Sequence, residues 1–234
     1  MIQNILITGT SRGLGFELLN IFLEKGWRVF ALARNANDFS SVCNQYPNRC
    51  IPIEADVTSK KTVEIINRTI INYTNKLDVL INNAGNAKTC FGIENVMPND
   101  LDEHFKVHVS GTFRVVKTCL PFLENALKPI IVNISSRKGS IQRVNSGQYR
   151  ILLPYQIAKC AQNMLTVGLN QELKDSKVNV YAVHPGNLKT AVAAPDADTD
   201  PREGARKIFN WIIADDHKTK DQLYNVMDEI IIEW

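Results

Sequence analysis

Ser136, Tyr155 and Lys159 carry the side chains of this chain best suited to chemistry: a hydroxyl, a phenol and an amine. A tyrosine is a poor acid or base near neutrality, because its ordinary pKa is about 10. In Pro154-Tyr155-Gln156-Ile157-Ala158-Lys159 the amine follows the phenol by four residues, one helical turn away on the same face. A positive charge there favours the phenolate, so the pair predicts a Tyr155 pKa lowered towards the working range. Bringing it to near 7 takes about 4 kcal/mol, within reach of an ammonium acting with a cationic cofactor ring. Tyr-x-x-x-Lys also arises by chance on amphipathic helices with a solvated lysine. Its weight rests on what the remaining chain brings near it.

The opening residues bring a phosphate cradle. Asn4-Ile5-Leu6-Ile7-Thr8 is a short apolar run of strand type, and it leads directly into Gly9-Thr10-Ser11-Arg12-Gly13-Leu14-Gly15. Apolar residues then recur at helical spacing from Phe16 to Lys25. In a strand–turn–helix unit, glycines permit the tight turn and let backbone approach a pyrophosphate, whose charge the helix N-terminus favours. The spacing is Gly-x-x-x-Gly-x-Gly rather than Gly-x-Gly-x-x-Gly. A ligand-free glycine turn is the alternative, and placement at the first strand-to-helix junction argues against it.

The elements that must position these groups alternate along the chain. Strand-like runs fall near 3–8, 28–33, 51–55, 77–82, 130–135, 177–184 and 222–227. Helical patterns fall near 13–25, 37–46, 59–74, 98–126 (with room for a break), 153–174 and 201–214. This alternation predicts one α/β domain spanning 1–234, with a parallel sheet of about seven strands and helices on both faces. Loops are expected at 137–152 and 186–201, where such folds place ligand contacts.

Composition narrows the function classes. The chain has 234 residues, 44% of them hydrophobic, and a net charge of +3, with no basic run that would suggest nucleic acid. No apolar stretch reaches the ~18 residues of a membrane helix, and the first strand starts too early for a signal peptide. Cys43, Cys50, Cys90, Cys119 and Cys160 are scattered, odd in number and without a C-x-x-C pair. Reduced thiols in a cytoplasmic protein are therefore expected, and no metal site.

Taken in order, these motifs resemble the short-chain dehydrogenase/reductase family over nearly the whole chain. Thr8 to Gly15 looks like its cofactor loop, and Asp56-Val57 like its adenine contact. Asn82-Asn83-Ala84-Gly85 matches its signature after the fourth strand. Ser136, Tyr155 and Lys159 match its catalytic positions, with Ser135 the rival serine that the Ser-x-x-Gly spacing to Gly139 disfavours. Pro185-Gly186-Asn187-Leu188-Lys189-Thr190 matches the segment beside the nicotinamide. The resemblance implies a Rossmann-type doubly wound fold. It also implies a dinucleotide held by Gly9, Ser11, Arg12, Gly13, Leu14, Gly15, Arg34, Asp56, Val57, Asn83, Ala84, Gly85, Tyr155, Lys159, Pro185, Gly186, Leu188 and Thr190. Asp56 has a second reading, as a cap for the helix beginning near Ser59.

NADP is expected over NAD. Folds of this kind that prefer NAD end the second strand on an acid that binds the ribose 2′-OH. Here that place falls on Ala33, with Arg34 next and Arg12 in the glycine loop, two guanidinium groups suited to a 2′-phosphate. Asp38 comes too late to restore the acid.

Two departures from the family pattern stand out. His108, in Phe105-Lys106-Val107-His108-Val109-Ser110-Gly111, occupies the place of an asparagine that in the family holds a water linking the catalytic lysine to solvent. Histidine also hydrogen-bonds water, so His108 is read as a substitute catalytic residue in that relay, with a weakened relay as the alternative. The stretch from Ser136 to Tyr155 is longer than the family's usual spacing. With Gly139-Ser140-Ile141 and the closing Ile231-Ile232-Glu233-Trp234, it resembles the branch of C-factor and sniffer-like carbonyl reductases.

The function so implied is NADP(H)-dependent reduction of a small-molecule carbonyl, or oxidation of the alcohol. A dinucleotide-binding signalling or regulatory protein is the alternative. Lys138, Arg143, Tyr149, Asn187 and the 191–200 loop are expected to face the substrate and are too mixed to set its polarity. A homodimer through the helices near 98–126 and 153–174 is the family default, which the insertion before Tyr155 could obstruct.

Overall fold

The fold is given by a computed structural model that describes residues 2–86, 92–147, 151–190, 197–214 and 221–234. Strands β1 (Asn4–Thr8), β2 (Arg28–Ala33), β3 (Cys50–Glu54), β4 (Val79–Asn82), β5 (Ile130–Ile134), β6 (Asn179–His184), β7 (Leu223–Asn225) and β8 (Ile230–Ile232) form one sheet. Their spatial order is β3-β2-β1-β4-β5-β6-β7-β8. All neighbours run parallel except the β7–β8 pair.

Helices α1 (Gly13–Glu24), α2 (Ser40–Gln45), α3 (Thr62–Ile71), α4 (Pro98–Phe105), α5 (Thr112–Leu123), α6 (Ile141–Asn145), α7 (Leu153–Glu172) and α8 (Pro201–Ile213) complete the doubly wound Rossmann-type architecture. The sheet is buried on both faces, as parallel sheets are. Along β1, Ile5 and Ile7 enter one core layer with Leu18, Phe22 and Ile208. Leu6 enters the other, with Ile66, Val115 and Ile131. That is the period-two alternation of a strand. Strand order reverses between β1 and β4, so the carboxyl ends of these strands open the crevice where such sheets bind ligands.

The sequence-based element map needs three corrections, and the break it left room for within 98–126 is found. An eighth strand, β8, closes the sheet antiparallel after a turn in which Glu229 has φ 58°; a three-residue strand with two exposed isoleucines carries too little alternation to be read. The pattern near 37–46 is a 3-10 turn (Ala36–Phe39) followed by the short α2. The expected loop 137–152 contains a 3-10 turn at Arg137–Gly139 and α6, which Ser140 caps by accepting from the Arg143 N–H at 3.2 Å. The long pattern 98–126 is broken by a π turn at Lys106–Gly111, and this turn carries His108. Single π turns inside helices are frequent at functional sites.

Candidate active site

The glycine loop forms at the end of β1. Gly9 has φ 76° and Gly13 φ 58°, values that favour glycine. At Gly15 the obstacle is space: a Cβ would lie 2.0 Å from the Gly9 carbonyl oxygen and 2.4 Å from Asn83 Nδ2. Helix α1 starts without a side-chain cap at Arg12. Its first N–H groups thus lack a side-chain acceptor, and a helix end in that state suits an anion.

Asn83 acts on this loop rather than beyond it. Its Nδ2 donates to Thr8 O at 2.9 Å and Gly9 O at 3.0 Å. The backbone N–H groups of Asn83 and Ala84 donate to Thr8 Oγ1, each at 3.0 Å. Asn82 continues inward: its Nδ2 donates to Asn133 Oδ1, and Asn133 Nδ2 donates to Thr166 Oγ1, both at 2.9 Å. Side chains of β4, β5 and α7 are thereby joined in a buried amide chain that fixes the crevice floor.

The other expected cofactor positions surround the same crevice. Thr190 reaches the loop, its Cγ2 lying 3.3 Å from where a Gly13 Cβ would be. Gly186, after Pro185, has φ 98°, and its missing side chain leaves room for Met227 and Thr199. Leu188 pairs with Thr199 in an isolated bridge. Ser11 is half-buried; Arg12 and Arg34 are exposed, Arg34 immediately beyond β2. Asp56 Oδ1 accepts from the N–H of Thr58 at 2.8 Å and its hydroxyl at 2.7 Å, so it shapes the turn leading to α3. Val57 is buried, and its carbonyl accepts from Arg114 at 2.5 Å.

Ser136, Tyr155 and Lys159 meet where β5 ends and α7 begins. Ser136 Oγ accepts from the Lys138 N–H at 3.1 Å and lies near enough to the Tyr155 phenol to lower its pKa. The rival Ser135 instead donates to Asn163 Oδ1 at 2.5 Å, while Asn163 Nδ2 holds Gly139 O. Lys159 is buried; its Nζ donates to Ile134 O at 2.7 Å and to Gln162 Oε1 at 2.9 Å. Gln162 Nε2 in turn donates to Thr112 Oγ1 at 3.3 Å, tying the lysine to the start of α5.

The protein surroundings of Tyr155 push its pKa up, against the expected lowering. Tyr155 keeps some exposed surface, but enclosure of its phenol raises the pKa, and the nearby Ser136 hydroxyl opposes that rise. Lys159 Nζ lies 5.8 Å from the ring centroid and is bonded elsewhere. Burial lowers the Lys159 pKa itself, from 10.5 to about 7, because a charged amine is costly without water.

His108 does enter the site. Its ring lies edge-on to Tyr155 with centroids 5.6 Å apart. His108 Nε2 is 3.0 Å from Asn86 O. A carbonyl only accepts, so Nε2 carries the proton and Nδ1 is left as a buried acceptor with no partner among the described residues. Burial first, then the Lys159 charge, lower the His108 pKa well below 6.5 and keep the ring neutral. Gly85 makes room for it: a Cβ there would meet the His108 Cε1 at 2.8 Å.

Several neighbours were missed from sequence. His104 stacks on His108 at 5.8 Å and meets Tyr155 edge-on at 6.1 Å; its i−4 spacing from His108 was a readable signal. Gln162 and Asn163 follow Lys159 at i+3 and i+4 and had the same signal. His184 ends β6, buried, its pKa lowered to about 3 by burial and then by the charges of Arg137 and Arg143. Of the residues expected to face substrate, Lys138, Arg143 and Asn187 are described, while Tyr149 and 191–196 lie outside the described residues. No described helix is long and apolar enough to cross a membrane.

Comparison with known proteins agrees with this geometry. The family model for short chain dehydrogenases matches residues 3–201. A short-chain type dehydrogenase/reductase of Helicobacter pylori, VdlC, is 30% identical over 85% of this chain and 69% of its own. An uncharacterized oxidoreductase of Staphylococcus aureus is 27% identical over 85% of this chain and 83% of its own. The carbonyl reductase Sniffer of D. melanogaster superposes with TM-score 0.91 at 25% identity, covering 100% of both chains. The NADPH-bound carbonyl reductase from chicken fatty liver gives TM-score 0.91 at 24% identity, covering 100% of this chain and 99% of that one, a likeness of fold. The chain belongs to the short-chain dehydrogenase/reductase family of oxidoreductases.

Proposed function

We propose that this protein is an NADP(H)-dependent carbonyl reductase, or the corresponding alcohol dehydrogenase, working through Ser136, Tyr155 and Lys159. The observation that carries this reading is the Ser136 hydroxyl set near the Tyr155 phenol, whose pKa it lowers, beside a buried lysine whose pKa is about 7. The crevice residues fit a dinucleotide: the uncapped start of α1 offers N–H groups to a pyrophosphate, and Gly15 leaves no space for a Cβ. Bound there, the cofactor supplies or accepts the hydride.

The chain's own residues handle the proton and the oxygen. Ser136 Oγ donates to the substrate carbonyl oxygen, and the Tyr155 hydroxyl donates to the same oxygen and gives up its proton as the C–H bond forms. Charge grows on that oxygen in the transition state, so two fixed donors act where catalysis needs them. Lys159, able to take either protonation state near neutrality, restores the Tyr155 proton. His108 completes the path, its unpartnered Nδ1 accepting from a water that leads outward. Arg34 and Arg12 are exposed cations suited to a 2′-phosphate, which favours NADP over NAD.

The test is a panel of carbonyl compounds followed by NADPH absorbance, with Tyr155→Phe as the key variant. Turnover falls at least about 100-fold, while NADPH affinity by fluorescence titration stays within about threefold. Undiminished turnover in Tyr155→Phe refutes the mechanism. Tight NADPH binding without turnover of any carbonyl points to a regulatory dinucleotide-binding protein.

A further inference from the structure

We propose that Cys43 and Cys50 are a redox modification site, at which a peroxide closes a reversible disulfide joining α2 to the edge strand β3. Their sulfurs lie 3.0 Å apart as free thiols. An S–S bond is about 2 Å, so closure needs a movement of about 1 Å and no rearrangement of the fold. Residues Tyr46 to Cys50 form a turn held by backbone hydrogen bonds from the Arg49 and Cys50 N–H groups to Tyr46 O, at 3.1 and 2.9 Å. Arg49 braces that turn, with its guanidinium 5.0 Å from the Tyr46 ring centroid and its NH1 donating to Leu23 O at 3.0 Å. The two sulfurs are therefore presented to each other by ordered backbone on both sides.

Their unequal exposure assigns the roles. Cys43 is half-buried and accessible to a small oxidant, whereas Cys50 is 4% exposed. Burial and the neighbouring Cys43 also hold the Cys50 thiol protonated. The Cys43 thiol gives its proton to solvent and its Sγ, as thiolate, attacks a peroxide oxygen; the O–O bond breaks, and the departing hydroxide takes up a proton from solvent as water, giving the sulfenic acid. Cys50 Sγ then attacks the Cys43 sulfur, the S–O bond breaks, and the hydroxide leaves with the Cys50 proton as a second water. Hydrogen peroxide takes two electrons and the two thiols lose them. Cys119 is fully buried, and no described sulfur stands beside it or beside Cys160.

Position in the sheet sets the consequence. Cys50 pairs in register with Val29, while Arg34 follows Ala33, which pairs with Glu54. The bond thus closes about 13 Å along the strand from the expected cofactor edge. It pins a six-residue helix, too short to hold itself, against the outermost strand.

The full-length protein is treated with hydrogen peroxide, alkylated without reduction, and digested with trypsin, which cuts after Arg49. The expected product is a pair of peptides joined through Cys43 and Cys50, two hydrogens lighter than their sum, which dithiothreitol separates. Cys43→Ser should leave Cys50 alkylated, and Cys119→Ser should leave the linked pair intact. Full alkylation of both cysteines after peroxide would overturn the proposal, as would Cys43 halted at an oxidised acid with Cys50 alkylated, or Cys50 joined to a different cysteine.

Discussion

Lys159 Nζ lies 5.8 Å from the centroid of the Tyr155 ring, one turn along α7, and gives its two short hydrogen bonds to Ile134 O and Gln162 Oε1 instead. The lysine is thus held by the protein before any ligand arrives. Its burial makes its charge a burden on the fold, which pH can reveal. The folded pKa is about 7 against 10.5 ordinarily, so between those values the unfolded chain binds a proton that the folded one does not. The contribution of Lys159 to stability therefore rises with pH across that window, by on the order of a few kcal/mol, and is least below about pH 7. Urea unfolding of wild type and Lys159→Met from pH 7 to 10 should show the wild type gaining on the variant. A constant difference contradicts the burial argument.

His184 supplies the acid-side counterpart. Its folded pKa is about 3 against 6.5, so the folded state refuses a proton that the unfolded chain takes up in between. Its contribution is fully present above about pH 6.5 and is lost as pH falls towards 3. Replacing His184 by Asn should flatten the acid limb of stability, read as urea midpoints from pH 7 down to 4.

His108 should matter to turnover more than to cofactor affinity. His108→Asn, which keeps a donor and an acceptor, is expected to hold kcat within about tenfold. His108→Leu removes both and leaves Asn86 O without its donor; kcat should fall by about tenfold or more with the KM for NADPH little changed. Equal activity of the leucine variant at every pH from 6 to 9 removes His108 from the proton path.

On the proposed function, Arg34 should decide between cofactors. A charge-assisted guanidinium–phosphate pair contributes about 1.5–3 kcal/mol, so Arg34→Ala should raise the KM for NADPH by about 10–100-fold. The KM for NADH, which lacks the phosphate, should stay within about threefold. Steady-state kinetics with both cofactors checks this, and a parallel loss for both would assign Arg34 a structural task.

Much of the fold was readable because its signals are local. The apolar run of β1, the glycines that follow and the amphipathic α1 are adjacent in the chain, and each limits the conformation of the next. The π turn around His108 was foreshadowed only as a break in a long helix, because one extra residue in a turn leaves no compositional mark. Asp56 was read as an adenine contact or as a cap for a helix near Ser59; its Oδ1 bonds Thr58 in the turn before α3, which starts later, at Thr62, with Lys61 at its cap.

The sequence by itself determined most of the elements and their order, since periodicity is a property of neighbouring residues, and its motifs led to the expectation that Ser136, Tyr155 and Lys159 share one site. Tertiary structure alone decided that Lys159 bonds to Ile134 and Gln162, that Asn83 braces the glycine loop from 74 residues away, and that the sulfurs of Cys43 and Cys50 touch. It also reversed the expected direction of the Tyr155 pKa, because that depends on how much water reaches the phenol. Desolvation and the choice of hydrogen-bond partner are set by segments distant in sequence, and no spacing along the chain encodes them.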